Sequence, residues 1–299
     1  MRNSDKKYCI FLLLGLLISL TNCSKQRPAN TTRNVIDIDG RSRTYLLHLP
    51  NNLKNNAPLV FVIHGYGDSS KGIRKFTKMD SIADKYGFAV CYPEATLGAD
   101  SLRSWNVGYS NYGVDDIGFI SALASFLQKK HKLSVKNTFC TGMSNGGDMT
   151  IQMACLKPEL FRAVSPDVGC LMYWLYDSCK IKNIAPIFMI NGTDDRTTLW
   201  EGEKDYPAIG PNGYMGTRQM VNIFVGLNEC TLVKIDTLPD INKGDSSFVV
   251  REKHINCANN TQIWFYSIVG GGHDWPGVQG NMDFFASEEI WLFFEQYVD

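Results

Sequence analysis

The sequence has little that favours nucleic-acid, metal or membrane-spanning chemistry. Its 30 Lys and Arg residues balance 30 Asp and Glu residues, so no basic excess attracts nucleic acid. Its five histidines and nine cysteines form no C-x-x-C or His-rich pairing, which argues against a metal site. No internal repeat and no linker divides the 299 residues. These absences leave an ordinary globular chain whose function must be sought in short motifs.

The N-terminus reads as a targeting segment. An apolar run from Ile10 to Leu20, behind three basic residues, predicts a signal peptide over residues 1–22 and is too short for a membrane span. The run ends in Leu-Thr-Asn-Cys, which resembles a bacterial lipobox, so Cys23 is expected to carry lipid and residues 23–33 to form a flexible tether. This interpretation predicts an exported lipoprotein of the bacterial cell envelope, on its periplasmic or surface face. The alternative is a plain signal peptide cut elsewhere, with Cys23 an ordinary thiol.

Residues 34–299 carry enough apolar sequence for a single domain, because hydrophobic residues make up 44% of the chain and charged residues 20%. Buried strands such as residues 58–63 alternate with helical patterns such as residues 76–86 and 114–130. This alternation predicts an α/β fold, in which helices flank a doubly wound, mostly parallel sheet. The loop over residues 94–113 is rich in Gly, Ser, Asn and aromatics, and loops of that length are usually functional.

Seven cysteines remain once the signal peptide and the lipidated Cys23 are set aside. An exported protein resides where disulfides persist, so some of the seven are expected to pair. Cys91 and Cys140 lie inside predicted core strands and are expected to be buried thiols. Two disulfides are predicted: Cys170–Cys179 and Cys230–Cys257.

The segment from Gly142 to Gly146 is the most informative motif. It reads Gly-Met-Ser-Asn-Gly, follows a β-prone run and precedes a helical one, as in the G-x-S-x-G nucleophile elbow. A strand-to-helix turn of this kind lifts the serine hydroxyl clear of the sheet, and the glycines avoid collisions across the turn. Ser144 is therefore the candidate nucleophile. The alternative is a Gly-rich turn that happens to contain a serine.

A serine nucleophile needs a histidine as base and an acid that orients the histidine. In α/β-hydrolases both follow the serine along the chain, the acid first and the histidine second. Of the five histidines, His273 alone follows the terminal strand, in a glycine-rich loop, and is the candidate base. The acid is expected after a strand between Ser144 and His273. Asp195 is favoured over Asp194 because it stands three residues beyond Gly192, as in a G-x-x-D turn.

The loop that follows the strand at residues 58–63 reads His64-Gly65-Tyr66-Gly67 and matches an oxyanion loop of the H-G-G type. The main-chain N–H groups of Tyr66 and Asn145 are predicted to stabilise the oxyanion. His64 precedes the nucleophile and is expected to brace the loop by hydrogen bonding. The chemistry requires no cofactor.

These motifs together give the chain a family resemblance over about residues 35–298. The chain resembles the secreted esterases that include feruloyl esterases, acetyl-xylan esterases and polyhydroxybutyrate depolymerases. The resemblance implies Ser144, Asp195 and His273 as a catalytic triad and hydrolysis of carboxylic esters as the reaction. The stretches that carry it are residues 62–67, 83–88, 92–93, 114–120, 141–147, 158–161, 191–195 and 271–277.

The resemblance favours feruloyl or acetyl esters of plant cell-wall xylan as substrates, with a polyhydroxybutyrate-type polyester as the alternative. A third possibility of another class is a non-catalytic lipoprotein that binds glycan. Loop aromatics are candidates for lining a substrate cleft, although an aromatic in a loop is more often packing. These candidates are Trp105, Tyr109, Tyr112, Trp200 and Trp275. Asp115 and Asp116, ahead of a helix, are expected to cap it.

Overall fold

A computed structural model describes residues 30–38, 40–108, 113–179, 185–204 and 213–299. The predicted signal peptide, the lipidation site Cys23, and Tyr109 and Tyr112 lie outside these ranges. No helix in the ranges described is long and apolar enough to cross a membrane.

Ten strands of the described residues form one sheet, in the order β1-β2-β4-β3-β5-β6-β7-β12-β11-β10, and β8 pairs with β9 in a separate ribbon. The six central strands, from β4 to β12, run parallel, and an antiparallel pair extends the sheet at each end. The strands are β1 (Asn30–Ile38), β2 (Arg41–Leu49), β3 (Leu59–Ile63), β4 (Ala89–Pro93), β5 (Thr138–Met143), β6 (Ala163–Asp167), β7 (Ile187–Gly192), β8 (Gly202–Glu203), β9 (Tyr214–Met215), β10 (Leu232–Thr237), β11 (Phe248–Ile255) and β12 (Ile263–Val269).

Helices cover both faces of the sheet, which is why the central strands are continuous apolar runs rather than alternating ones. One apolar cluster packs α3, α4, α5 and α6 on one face, and a second packs α1, α2 and α7 on the other. This confirms the predicted α/β-hydrolase architecture. The helices are α1 (Ser70–Thr77), α2 (Met79–Tyr86), α3 (Asp116–His131), α4 (Asn145–Leu156), α5 (Tyr173–Cys179), α6 (Thr217–Leu227) and α7 (Ala286–Glu295).

Two boundaries differ from the sequence prediction. β1 begins at Asn30 and its first residues pair with the end of β2, so residues 30–33 belong to the sheet rather than to the tether. The helical pattern of residues 76–86 is divided between α1 and α2, because Lys78 adopts a left-handed conformation with φ 54° and ends the first helix.

One predicted disulfide is confirmed and the other is wrong. Cys230 and Cys257 are bonded as predicted, and Cys91 and Cys140 are buried thiols. Cys179, however, is bonded to Cys155 and not to Cys170. α4 and α5 pack against each other, and this brings Cys155 and Cys179, near their C-terminal ends, together. Spacing along the chain could not reveal this helix contact.

Candidate active site

The three candidate catalytic residues follow the carboxyl ends of three parallel strands. Ser144 comes directly after β5, Asp195 three residues after β7, and His273 four residues after β12. Because the carboxyl ends of parallel strands share one edge of a sheet, the fold places all three at the edge where ligands of open α/β sheets bind. We call this the catalytic edge.

Ser144 has the backbone of a strained elbow. Its φ of 56° and ψ of −125° lie in a region that residues other than glycine rarely adopt, and its N–H donates to Asp167 O at 3.0 Å. A Cβ atom on Gly142 would lie 2.4 Å from Gly146 O, and one on Gly146 would lie 2.2 Å from Ile63 O. Only glycine fits at either position. These features exceed what an incidental Gly-rich turn requires.

His273 is hydrogen bonded to Asp195 and not to Asp194. Its Nδ1 lies 2.7 Å from Asp195 Oδ2, while Asp195 Oδ1 accepts the N–H groups of Thr197 and Thr198 at 2.7 and 2.8 Å. The carboxyl group of Asp195 thus takes part in three hydrogen bonds, and its side chain is buried. Asp194 is exposed and accepts from the hydroxyl of Thr193.

The loops that carry these two residues contact each other closely. The N–H of Asp194 donates to Gly271 O at 2.9 Å. A Cβ atom on Gly192 would lie 2.3 Å from the same oxygen, so glycine is required where the loops cross. This crossing lets His273 reach Asp195. The imidazole keeps Nε2 for a second partner, and 21% of the side chain is exposed.

His64 braces the loop after β3, as predicted. Its Nε2 accepts the N–H of Ala95 at 3.1 Å, so Nδ1 carries the proton and donates to Gly65 O at 2.7 Å. Burial lowers the pKa of His64, which favours this neutral form.

The braced loop adjoins the elbow. A Cβ atom on Gly65 would lie 3.4 Å from Ser144 Cβ, so the residue before Tyr66 lies beside the candidate nucleophile. Asn145 is the first residue of α4, where main-chain N–H groups have no partner within the helix. Its buried side chain accepts the N–H of Trp105 at 2.8 Å and so ties the elbow to the loop after β4.

Two of the aromatic candidates for substrate contact are wrong. Trp105 and Trp275 are completely buried, and their indole N–H groups donate to His64 O and Ser287 Oγ. Both therefore support the loops from within, and neither side chain can touch a ligand. Trp200 is half-buried and packs beside Phe265, with ring centroids 6.0 Å apart.

Sequence reasoning missed a set of exposed apolar side chains on the loops and the short helix α5 that follow the strands of the catalytic edge, which we call the apolar rim. Its members follow β3, β4, β6 and β7 and are between 37% and 57% exposed. Trp174 of this set lies in α5 and donates its indole N–H to Val107 O. The only sequence signal was the presence of large apolar residues in the segments that follow the strands. The apolar rim comprises Tyr66, Leu97, Leu102, Trp174 and Leu199.

Asp115 caps α3 as predicted, since it accepts the N–H of Gly118 at 2.7 Å. Asp116 does not act as a simple cap. It is buried in an ion pair with Arg43 of β2 at 2.7 Å and also accepts the N–H of Asn106 at 2.8 Å. This pair anchors the loop between β4 and α3 to the sheet.

One buried acid at the catalytic edge was also missed. Asp167 is the last residue of β6, completely buried, and neither carboxyl oxygen has a hydrogen-bond partner in the described residues. No group of three or more His, Cys, Asp or Glu side chains in the part of the chain described is arranged to hold a metal ion. A single acid that ends an apolar strand gave no signal in the sequence.

Comparison with known proteins agrees with this geometry. The model of the family described as Esterase PHB depolymerase matches residues 43–180. Feruloyl esterase B of Neurospora crassa is 29% identical over 72% of this chain and 73% of its own length. Poly(3-hydroxyalkanoate) depolymerase C of Paucimonas lemoignei is 25% identical over 77% of this chain, which spans 58% of that relative.

A solved structure supports the fold. The acetyl xylan esterase of Aspergillus awamori superposes with a TM-score of 0.65 at 18% identity, over 88% of this chain and 99% of that chain. The resemblance predicted from the motifs is therefore confirmed. The chain is a serine esterase of the α/β-hydrolase fold, related to the feruloyl esterases, acetylxylan esterases and polyhydroxybutyrate depolymerases.

Proposed function

We propose that Ser144, His273 and Asp195 form the catalytic triad of this esterase. The observation that carries the proposal is the 2.7 Å hydrogen bond between His273 Nδ1 and buried Asp195, at the same sheet edge as the strained Ser144. A carboxylate on Nδ1 fixes the tautomer in which Nε2 is unprotonated and can accept a proton.

The reaction then proceeds in two halves. Ser144 Oγ attacks the ester carbonyl carbon while its proton passes to His273 Nε2. The bond to the alcohol oxygen breaks, and the alcohol leaves with that proton, so Ser144 remains acylated. Water attacks the acyl carbon and gives a proton to His273. The bond from that carbon to Ser144 Oγ then breaks, His273 returns the proton to Ser144 Oγ, and the acid leaves.

The main-chain N–H groups of Tyr66 and Asn145 are the proposed donors to the oxyanion. Two observations support them: Gly65, the residue before Tyr66, lies beside Ser144, and Asn145 begins a helix whose N-terminus carries positive partial charge. Each donor of this kind lowers the barrier by about 3–4 kcal/mol in a preorganised site. His64 and Trp105 hold the two donor segments in place.

We propose feruloyl or acetyl esters of xylan as the substrates. The relatives named for such activities include feruloyl esterase B and the acetyl xylan esterase of Aspergillus awamori. The apolar rim supplies Tyr66 and Trp174, whose faces suit an aromatic acyl group or a sugar ring. Trp200 stays a candidate contact, and Tyr109 keeps that role only as a prediction from the sequence.

A polyester depolymerase is the second candidate, and the apolar rim is also the feature that favours it. Leu97, Leu102 and Leu199 add aliphatic surface to the edge, which suits a polyester chain better than a hydrated glycan. The family description and the Paucimonas lemoignei relative point to the same class.

One set of assays distinguishes these substrate proposals. Release of ferulate and acetate from de-starched xylan is measured beside clearing of polyhydroxybutyrate and hydrolysis of a nitrophenyl ester, with Ser144→Ala as the control. Ferulate or acetate release that depends on Ser144 would support the first proposal, and polyester clearing the second. A folded protein that turns over none of the three substrates would favour the glycan-binding alternative.

We also propose that the protein is exported and anchored through lipid on Cys23, on the strength of the sequence motif alone. Metabolic labelling with a clickable fatty acid should mark the wild type and not Cys23→Ala. Equal labelling of the two would contradict the anchor.

A further inference from the structure

Asp167 is a buried acid that the proposed mechanism does not use. Its side chain is completely buried, and neither carboxyl oxygen meets a donor in the described part of the chain. No positively charged group acts on it within the same residues. A buried carboxylate with neither partner nor counter-ion is strongly unfavourable, so this position calls for an explanation.

The next residue is strained. Val168 has a φ of 44°, which a β-branched side chain rarely adopts. Two hydrogen bonds hold this conformation: the N–H of Val168 donates to Ile190 O at 2.8 Å, and its carbonyl accepts the hydroxyl of Thr198 at 3.0 Å. The buried acid and the strained backbone are thus adjacent in the chain, and clusters of such unfavourable features are characteristic of functional sites.

Asp167 lies between the elements that carry the candidate triad. Its main-chain carbonyl accepts the N–H of Ser144 at 3.0 Å, and in the sheet it pairs with Met143 of β5 and Ile190 of β7. Asp195 stands three residues after the end of β7. A charge on Asp167 would therefore appear within the catalytic edge.

The ionisable groups that face Asp167 are mostly acidic. Asp195, after β7, and Asp274, after β12, both act on it through their negative charge. On α4, Asp148 is engaged by the N–H of Cys170 at 2.8 Å. The acids of α7 have other partners: Glu288 accepts from Lys85 and Tyr86, and Glu289 from Tyr266.

We propose that Asp167 holds a proton while the enzyme works and, as a neutral positioning residue, leaves Asp195 as the one carboxylate that orients His273. The inference rests on the proposed triad. The carboxylate of Asp195 accepts three hydrogen bonds, whereas within the described residues the carboxyl group of Asp167 accepts none, so a proton shared between these acids belongs on Asp167. Burial, and then the charges of Asp195 and Asp274, raise the pKa of Asp167 well above its ordinary value.

Ionisation of Asp167 would harm catalysis. A second negative charge near Asp195 would oppose the oxyanion that forms on the substrate. Activity of the wild type is thus expected to fall at alkaline pH, when Asp167 loses its proton.

The test is the pH dependence of kcat/KM from pH 5 to 10, with a nitrophenyl ester and correction for spontaneous hydrolysis. The wild type is compared with Asp167→Asn, which is neutral at every pH and nearly the same size. Asp194→Asn is the matched control, because it removes an exposed acid one residue from the triad.

At pH 7 we expect kcat/KM of Asp167→Asn within about threefold of the wild type, since both side chains are then neutral. Above the pKa of Asp167, kcat/KM of the wild type should fall by up to about tenfold per pH unit while the variant keeps its activity. Asp194→Asn should follow the wild type. An alkaline fall that Asp167→Asn shares with the wild type, or a fall of far more than threefold in that variant at pH 7, would overturn the proposal.

Asp274→Asn provides an independent variant if Asp167→Asn does not fold. Removing the negative charge of Asp274 makes Asp167 easier to ionise, so the alkaline fall should move to lower pH. An unmoved fall would contradict the role of Asp167. Undiminished turnover by Ser144→Ala would instead disprove the triad itself, so the two failures are distinguishable.

Discussion

Two buried aspartates, Asp195 and Asp167, lie on neighbouring segments of the catalytic edge, yet the hydrogen bonding of their carboxyl groups is opposite. Asp195, after β7, accepts hydrogen bonds from Thr197, Thr198 and His273. Asp167, at the end of β6, accepts none through its carboxyl group from the residues described. The difference shows that the local supply of donors, rather than burial alone, decides whether a buried acid is charged.

The donors come from loop geometry. The chain after Asp195 turns back so that two consecutive N–H groups point at one carboxylate oxygen, and the crossing loop adds the imidazole. Asp167 ends a strand whose main-chain groups are already engaged by Ser144 and the neighbouring strands. The same residue type thus supplies a fixed charge at one strand end and a held proton at the next.

The largest expected effect is that of Ser144→Ala, which removes the group that both acids are proposed to serve. We expect kcat for a nitrophenyl ester to fall by about 10⁶-fold, as when the nucleophile of a triad is removed. Thermal unfolding should be little changed. Ser125→Ala, at an exposed serine on α3, is the control and should keep full activity.

Asp195→Asn tests the charged member of the pair. The amide cannot fix the productive tautomer of His273, so kcat should fall by about 10⁴-fold. Asp194→Asn should lose less than about tenfold, because that acid is exposed and does not touch His273. If Asp194→Asn were the more damaging change, the orienting role would pass to Asp194.

Asp167→Asn tests the neutral member through stability. A folded-state pKa above the unfolded value means that the wild type loses stability as pH rises from about 4 towards the folded pKa. Relative to the variant, its free energy of unfolding should fall by about 1.4 kcal/mol per pH unit across that window. Urea titrations at pH 4, 6 and 8 measure this difference, and a constant gap between the two proteins would contradict a buried proton.

Thr198→Val probes the link between the two regions and should have the smallest effect. Its hydroxyl donates to the carbonyl of strained Val168, while its N–H donates to Asp195. The substitution removes only the first bond, so stability should fall by about 1 kcal/mol and kcat by less than about tenfold. A loss of activity as large as that of Asp195→Asn would show that the environments of Asp167 and Asp195 are coupled through Thr198.

Features set by short segments could be predicted from the sequence. Three such features are the glycines of the elbow, the apolar strands, and the chain order in which the serine precedes the acid and the acid precedes the histidine. Each is visible in short stretches of sequence. In the structure His273 is hydrogen bonded to Asp195, as that order predicts. Gly142 and Gly146 are needed because the backbone of the elbow leaves no room for a Cβ atom.

Features set by packing between distant elements could not be predicted. Whether Trp105 faces a cleft or the core depends on how the loop after β4 folds over His64. The pairing of Cys155 with Cys179 depends on the contact between α4 and α5. Asp167 gave no signal because an acid at a strand end is ordinarily solvated, and its complete burial arises only from the packing of the folded chain around it.

The most direct test of the central claim is identification of the residue that becomes acylated. The protein is treated with a serine-reactive fluorophosphonate, and the labelled peptide is identified by mass spectrometry. The account predicts a single label on Ser144, absent from Ser144→Ala and formed far more slowly in Asp195→Asn. Ester turnover by a protein that carries its label on another residue, or that carries none, would contradict it.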